Sequence, residues 1–229
     1  DKNKSEIMGA IQKSTLEFLN QLKVNNNREW FERNKERYRA AHENMIGFMD
    51  SLIAEMNKVD NIETISGKKS LFRIYRDVRF SKDKSPYKSF FGARMARATK
   101  WLRGGHYIHI EPGNSFIAAG FFNPNSADLK LIREDIAHDS KPLKTILEEK
   151  DFKKVWGTFK GDSVKTAPRG FDKDHPDLDL IRFKQFHLSH HFSDEEVLTE
   201  DFVFEVVKSF LVIRPYFDYM SEVLTRDMK

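Results

Sequence analysis

The chain has 229 residues, of which 39% are hydrophobic and 32% are charged. This composition is typical of a soluble globular protein, with a charged fraction somewhat above the average. It contains no cysteine, so disulfide bonds and thiol catalysis are excluded, and a reducing, cytoplasmic location is expected. No apolar run approaches the length of a membrane span and no signal peptide is visible, so we expect no membrane partner.

Charge is distributed unevenly along the chain. The formal net charge is only +4, but the segment 68–103 holds twelve Lys and Arg residues against two Asp, whereas the rest holds 27 basic and 33 acidic residues. A basic block of this kind attracts anions locally. Binding of nucleic acid would be better supported if the whole domain were basic.

The N-terminal part of the chain is predicted to be helical. Ser14 with Glu17 forms the pattern of a capping box at the start of a first helix, which is expected to stop at Asn25-Asn26-Asn27. Asn27 is expected to cap a second, long helix that begins at Arg28, and the unpaired N–H groups at that end could join an anion site. Apolar residues recur in this helix every seven positions, which is typical of a core-facing stripe: Phe31, Tyr38, Met45 and Leu52.

A segment rich in predicted strands follows. Between Phe72 and Phe80 apolar and polar residues alternate, which predicts a half-buried β-strand. Arg76 falls on the apolar face of this strand, so it must snorkel, pair with a carboxylate or bind a ligand. Three further strands are predicted at 90–98, 106–111 and 115–122, joined by short turns. On the strand 106–111, one side carries Tyr107, His109 and Glu111.

Helices are predicted again after the strands. They cover about 126–137 and 142–149, and a last helical region opens with a capping box of Ser193 and Glu196 and is kinked or ended by Pro215. Helices, then strands, then helices indicate an α+β fold. We therefore expect a single α+β domain over 1–229, with its core at about 16–220. In it an antiparallel meander of about four or more strands, at about 71–122, packs against N-terminal and C-terminal helices.

The predicted basic strand and the loop that follows it carry the clearest indication of a binding site. Arginines on a strand with lysines and hydroxyls in the next loop suit a phosphate, a carboxylate or a nucleic-acid backbone. Asp77 could fix one guanidinium by a bidentate hydrogen bond and leave the others free. The alternative is a solvated basic strand whose charges keep an edge soluble. The candidate ligand-binding residues are Arg73, Arg76, Arg79, Lys82, Lys84, Tyr87 and Lys88.

A second polar stretch, 161–179, is predicted to be a long loop. Loops of this length in a compact domain are usually functional or disordered, and the apolar residues in this one favour an ordered loop. Lys165 and Arg169 are further candidate anion ligands, and His175 is a candidate acid–base group. EF-hand and zinc-protease spacings are missing, as are the glycine-rich nucleotide loops and the nucleophilic-serine motif. Neither a metal nor a cofactor is therefore predicted.

Four stretches carry a resemblance to a known family: FLNQLKVNNNREWFERNKERY, FRIYRDVRFSKDKSPYK, GGHYIHIEP and KTAPRGFDKDHP. With them the chain resembles the family catalogued as domain of unknown function 2461, from about Leu16 to about Met220. The resemblance implies a bacterial and fungal protein treated as a single domain, and it brings no established activity, substrate or catalytic residue. Family motif residues fall in both polar stretches, which favours a site built from the two; among them are Arg73, Arg76, Asp77, Arg79, Lys165, Arg169 and His175.

The first functional hypothesis is a pocket for a small phosphorylated or carboxylated ligand, either a binding site or an enzyme site. The basic strand and its loop would form one wall, and Lys165 with Arg169 would form the other. Asp77 or His175 would orient the ligand or move protons, provided that each lies within hydrogen-bond reach. Whether a reaction follows is left open by the residues.

Two other hypotheses belong to different classes of protein. One is nucleic-acid binding, in which the basic segment tracks a backbone and bases stack on Phe90, Phe91 and Trp101. The other is structural: Arg76 and the nearby aspartates Asp77 and Asp83 would form a charge network that fixes the fold.

Overall fold

The computed structural model describes residues 9–228 of the chain and has an α+β architecture. Before the sheet lie α1 (Lys13–Val24), α2 (Arg28–Arg33), α3 (Lys35–Met56) and α4 (Gly67–Ser70). Three strands follow, β1 (Phe91–Ala96), β2 (Gly105–Ile110) and β3 (Ser115–Phe121), and then α5 (Ser126–His138), α6 (Lys141–Glu148), α7 (Lys150–Trp156) and α8 (Leu178–Ile181). The chain continues with β4 (Phe186–Phe192), α9 (Asp194–Val197), α10 (Phe202–Val212), α11 (Arg214–Thr225) and a 3-10 turn, Arg226–Met228. The predicted fold class is confirmed.

The four strands form one antiparallel sheet in the order β1-β2-β3-β4. Alternation divides the residues of each strand between two faces. One face is apolar and buried, with Phe91 and Met95 on β1, Ile108 on β2 and Ile117 on β3. The strands predicted at 90–98, 106–111 and 115–122 are confirmed as β1, β2 and β3. The fourth strand of the sheet is β4, which sequence reasoning did not identify.

The strand predicted from Phe72 to Phe80 is wrong. This segment contains no regular strand. It has one isolated antiparallel bridge, Tyr75↔Tyr87, and a second, Leu71↔Ala93, lies just before it. The alternation was misleading because its apolar residues are not all inside: Phe72 is 42% exposed and Phe80 is 96% exposed. Of the four residues assigned to the apolar face, only Ile74 is fully buried.

Contacts divide the chain into two compact units, each made of discontinuous segments. The first contains the described residues up to Met95 together with Tyr107–Ile117 and His191–Lys208, and the second contains Ala96–His106, Ala118–His190 and the chain from Ser209 onward. The prediction of a single domain stays a prediction.

The core of the first unit is built around α1 and α3. Leu19 and Leu22 of α1 are fully buried, as are Met45 and Phe48 of α3. The ring of Phe202 stacks on that of Phe48 at 5.5 Å between centroids. A segment distant in sequence therefore completes this core.

Helix ends in the first unit test the predicted caps. The capping box at Ser14 is wrong, because α1 already begins at Lys13 and its N-cap, Gln12, makes no side-chain capping bond. The cap at Asn27 is confirmed, since its side chain accepts a hydrogen bond from the Trp30 amide at 2.9 Å. The helix predicted from Arg28 onward is interrupted at Asn34, which separates α2 from α3.

The capping box of Ser193 and Glu196 is also confirmed, although the helix that it opens, α9, is only four residues long. In the second unit, α11 begins at Arg214 with Pro215 in its first turn, as the predicted break requires. The core of this unit is aromatic. The Trp156 indole donates to the Ser209 carbonyl at 3.1 Å, and the Tyr216 hydroxyl donates to the Phe186 carbonyl at 2.8 Å. None of the described helices has the length and apolar character needed to cross a membrane.

Candidate functional site

The basic segment forms an irregular hairpin in the first unit, which we call the arm (Leu71–Phe90). Its two sides are joined by the Tyr75↔Tyr87 bridge. Two backbone hydrogen bonds flank the bridge, from the Arg76 amide to the Pro86 carbonyl at 2.9 Å and from the Lys88 amide to the Ile74 carbonyl at 2.7 Å. Although the arm is not a regular strand, its backbone is therefore held in a defined register.

The side chain of Asn26 attaches the arm to the turn between α1 and α2. Its amide nitrogen donates to the Tyr87 carbonyl at 2.8 Å, and its carbonyl oxygen accepts from the Tyr87 amide at 3.1 Å. The Tyr87 ring also stacks on Phe31 with centroids 4.0 Å apart. One asparagine thus makes the two bonds that a neighbouring strand would otherwise make.

A cavity of about 340 Å³ lies where the arm meets α2. Two guanidinium groups, one carboxylate and two phenol rings contribute to its wall, and we call it the arm cavity. It is lined by Arg28, Glu32, Tyr75, Arg76, Val78, Pro86 and Tyr87. Of the predicted ligand-binding residues, Arg76 and Tyr87 belong to this wall.

The two arginines of the arm cavity differ in their partners. Arg76 is half-buried and forms an ion pair with Asp83 through one nitrogen, Nη1. Arg28 is exposed and makes no ion pair with any residue in the part of the chain that the structure describes. The carboxylate of Glu32 pairs with Lys35 at 3.0 Å.

Asp83 holds the loop of the arm and the Arg76 guanidinium together. Its carboxylate accepts hydrogen bonds from the hydroxyl of Ser85 at 2.6 Å and from the backbone amide of Ser85 at 2.9 Å. These bonds, together with the bond from Arg76, hold the pKa of Asp83 well below its ordinary value. The Arg76 side chain is thereby fixed at the cavity instead of moving freely in solvent.

Asp77 forms the predicted bidentate pair, and its partner is Arg79. Arg79 donates from Nε to Oδ1 at 2.9 Å and from Nη2 to Oδ2 at 2.7 Å. These bonds lower the pKa of Asp77, which makes its carboxylate a weaker base. The catalytic role predicted for Asp77 stays a prediction.

The remaining cations of the arm either hydrogen-bond its backbone or are exposed. Lys84 donates to the Val78 carbonyl at 2.9 Å, and Lys88 donates to the Arg73 carbonyl at 2.6 Å. Burial, with a contribution from Arg73, lowers the pKa of Lys88. The side chains of Arg73 and Lys82 are exposed. Lys84 and Lys88 therefore support the backbone of the arm as well as adding positive charge.

The candidate residues of the second polar stretch lie in the second unit. Lys165 and Arg169 are exposed. His175 donates from Nε2 to the Ala137 carbonyl at 3.0 Å, and its Nδ1 accepts from the Asp177 amide at 3.0 Å. Both ring nitrogens are thus engaged by the backbone, which ties the loop to α5. A site built from both polar stretches, with His175 as an acid–base group, stays a prediction.

Sequence reasoning left Arg28, Glu32 and Tyr75 out of the candidate ligand-binding residues, although the signals were present. Glu32 lies four residues after Arg28, which places the two on one face of a helix. Tyr75 falls at the every-second-position spacing of Arg73 and Arg79, which were predicted to bind the ligand. Among residues 9–228, no group of three or more His, Asp or Glu side chains is placed to hold a metal ion.

Comparison with known proteins identifies a family. Its model matches residues 14–219, nearly the whole chain and both polar stretches. No curated protein and no solved structure matches the chain. The resemblance found in the sequence motifs is confirmed, and the chain belongs to the family described as conserved hypothetical protein DUF2461.

Proposed function

We propose that the protein binds a small anionic ligand, a phosphorylated or carboxylated compound, in the arm cavity. The observation that carries this proposal is the pair of guanidinium groups, Arg28 and Arg76, on the wall of one cavity. Guanidinium groups bind carboxylates and phosphates through paired hydrogen bonds. A cavity of about 340 Å³ is at the small end of the range for small-molecule sites.

The balance of charge around the arm cavity favours an anion. A guanidinium has five N–H donors, and Asp83 uses one nitrogen of Arg76, so donors remain for a ligand. Glu32 is the one carboxylate on the wall, and its charge is matched by Lys35. The positive charge of Arg28 is left without a paired carboxylate among the described residues.

The aromatic side of the wall suits a ligand with an organic body. Tyr75 is 57% exposed, and its ring lies 5.5 Å from that of the buried Tyr87. An exposed aromatic ring beside cations offers both an apolar surface and a hydroxyl group. A small organic phosphate or carboxylate therefore fits this wall better than a bare inorganic ion does.

The proposal is tested by calorimetric titration of the purified protein with pyrophosphate, citrate and glucose 6-phosphate. Arg28→Gln and Arg76→Gln remove one positive charge each from the wall. Arg79→Gln is the matched control, because it removes the same charge from the same arm at a residue outside the cavity. We expect each cavity variant to bind about tenfold more weakly or worse, since hydrogen bonds to charged groups contribute about 1.5–3 kcal/mol, and Arg79→Gln to bind normally.

An equal loss of affinity in Arg79→Gln would contradict the proposal, because binding would then depend on the general charge of the arm. Absence of binding by the wild type at millimolar concentrations of all three compounds would also contradict it. Arg28→Gln is the decisive variant, since Arg28 is exposed and its replacement leaves the Arg76–Asp83 pair intact.

Nucleic-acid binding is less well supported. Of the three aromatic residues considered for base stacking, Phe91 is buried and Phe90 stacks on His109 at 4.2 Å. Trp101 is 41% exposed, but it is a single ring. Addition of a short oligonucleotide to the same titration series checks this alternative, which requires affinity that falls steeply with salt.

A further inference from the structure

A chain of three hydrogen-bonded side chains lies on β2 and just beyond its end, outside the arm cavity. The Tyr107 hydroxyl and His109 Nδ1 are 3.0 Å apart, and His109 Nε2 and Glu111 Oε2 are 2.9 Å apart. The three residues follow one another at every second position, so one face of the strand aligns them. None of them takes part in the function proposed above.

The hydrogen bonds define the protonation state of this chain. Burial and the charge of Glu111 raise the pKa of Tyr107 to about 12, so its hydroxyl is protonated at neutral pH and donates to His109 Nδ1. Burial lowers the pKa of His109 despite the opposing effect of Glu111. Burial raises the pKa of Glu111, but hydrogen bonds from His109 and Asn114, together with the charges of His109 and Lys23, bring it below its ordinary value. The arrangement is therefore a carboxylate, a neutral imidazole with its proton on Nε2, and a phenol.

The imidazole is held rigidly in this position. Phe90, which precedes β1, stacks on it at 4.2 Å, and Phe116 of β3 stacks on it at 4.6 Å. The Asn114 side chain donates to the same Glu111 oxygen at 2.9 Å. The rings of Phe90 and Phe116 fix the plane of the imidazole, and the carboxylate fixes its tautomer.

The hydroxyl of Tyr107 lies above a residue without a side chain. A Cβ atom added at Gly92 would lie 2.9 Å from that hydroxyl oxygen and 3.2 Å from the ring of Phe72. Any other residue at position 92 would therefore displace the tyrosine from His109. Tyr107 itself is half-buried.

We propose that Tyr107 is a nucleophile, that His109 is its general base and that Glu111 orients His109, in a site for an ester of a phosphoric or carboxylic acid. A nucleophile within hydrogen-bond reach of a base, with the base oriented by a third group, is the arrangement that activates hydroxyl nucleophiles. Two cations lie near this region, Lys23, whose charge acts on Glu111, and Lys88. The Lys88 ammonium lies 5.9 Å from the Phe72 ring, whose centroid is 6.3 Å from that of Tyr107.

The reaction is an ester hydrolysis in two steps. In the first, the Tyr107 oxygen forms a bond to the phosphorus or carbonyl carbon, its proton passes to His109 Nδ1, and the ester bond breaks as the departing alcohol takes that proton. In the second, water attacks the tyrosyl ester, His109 accepts a proton from the water, and the proton returns to the Tyr107 oxygen. The products are the free acid and the alcohol, and His109 ends neutral.

The first experiment measures the reactivity of Tyr107 with phenylmethanesulfonyl fluoride. An O–S bond forms, the S–F bond breaks, fluoride leaves, and the phenol proton passes through His109 to solvent. Tyr75 is the internal reference, because it is exposed and has no histidine on its hydroxyl in the described contacts. Peptide mapping by mass spectrometry gives both rates in one sample, and Tyr107→Phe verifies the assignment of the label.

We expect Tyr107 to react faster than the more exposed Tyr75, and His109→Gln to slow its reaction by about 100-fold, the lower end of what a general base contributes. Glu111→Gln should slow it less and move its pH profile, because the tautomer is no longer fixed. A purely structural hydrogen-bond chain would make the half-buried Tyr107 the slower of the two. That result, or an unchanged rate in His109→Gln, would overturn the proposal.

The wild type alone also decides the question if His109→Gln fails to fold. The rate at Tyr107 should level off above the lowered pKa of His109, whereas the rate at Tyr75 should rise with hydroxide throughout. Parallel pH profiles at the two tyrosines would overturn the proposal. p-Nitrophenyl phosphate and p-nitrophenyl acetate then distinguish the two classes of ester. The substrate that is cleaved releases nitrophenol and leaves a covalent adduct on Tyr107, which is detected after the reaction is quenched. Release of nitrophenol from neither substrate would overturn the proposal. The label is read on Tyr107 itself and the anion site is read by calorimetric titration, so this inference and the proposed anion site fail or succeed separately.

Discussion

At the scale of single residues, the position of the arm depends on side chains more than on backbone pairing. Asn26 bonds both polar groups of the Tyr87 backbone, and Asp83 joins the loop of the arm to Arg76. Sequence reasoning identified Arg76 and Tyr87 because their chemistry is visible in the chain. It gave Asn26 no role in the arm, because a hydrogen bond between positions 61 residues apart follows from the fold and from no local pattern.

We expect Asn26→Ala to lower the free energy of unfolding by about 2 kcal/mol, since it leaves the Tyr87 amide and carbonyl without partners in a partly buried place. The matched control is Asn25→Ala, whose amide makes a single bond to the Gln21 carbonyl at the end of α1. That change should cost about 0.5 kcal/mol or less. Urea denaturation measures both values. Equal losses would show that the two hydrogen bonds from Asn26 to the Tyr87 backbone stabilise the protein no more than the single bond of Asn25 does.

At the scale of elements, the regular parts of the chain were predictable and the exceptions have physical reasons. The strands β2 and β3 and the helix α5 follow clear periodicities that burial then satisfies. The arm has the alternating sequence pattern of a strand, but Phe80 lies at an exposed turn, so the apolar positions of this pattern are not all buried. The strand β4 was missed because its residues follow a long polar loop, and because the alternation of Phe186, Leu188 and Phe192 is interrupted by His190.

Two glycines of the first unit should respond to alanine with opposite signs. Gly47, within α3, has open space where a Cβ would lie, so Gly47→Ala should stabilise the protein by about 1 kcal/mol through helix propensity. At Gly67 a Cβ would lie 2.3 Å from the Ile46 carbonyl oxygen, and Gly67→Ala should cost about 2 kcal/mol through overpacking. Thermal unfolding of the two variants tests this, and stabilisation of both would show that α4 is free to move away from α3.

At the scale of the whole molecule, burial of histidines predicts how stability depends on pH. Burial lowers the pKa values of His42, His109 and His187, whereas the same groups in the unfolded chain titrate near about 6.5. Between the lowered values and about 6.5 the unfolded state therefore binds more protons, so stability rises with pH through this window and falls on acidification. We expect the melting temperature to drop between about pH 7 and pH 5, measured by calorimetry. A constant melting temperature over this range would mean that these histidines take up protons in the folded state as easily as in the unfolded one.

A second, more acidic loss should follow from the carboxylates. Hydrogen bonds lower the pKa values of Asp77 and Asp177, so the stability that these groups contribute is present above about pH 4 and is lost as the pH falls further. The two windows distinguish histidine protonation from ordinary acid unfolding.

The discontinuous first unit also constrains how the chain folds as it is synthesised. Phe48 comes from α3 and its partner Phe202 from α10, and Phe202 in turn contacts Phe192 at 5.0 Å. A nascent chain has made α1 and α3 long before the ribosome reaches position 202, so the apolar surface around Phe48 waits uncovered. The helices α1 and α3 can form early, but the first unit closes only after the segment around Phe202 has been synthesised, and in the interval between those events the exposed apolar surface is open to aggregation and to chaperones.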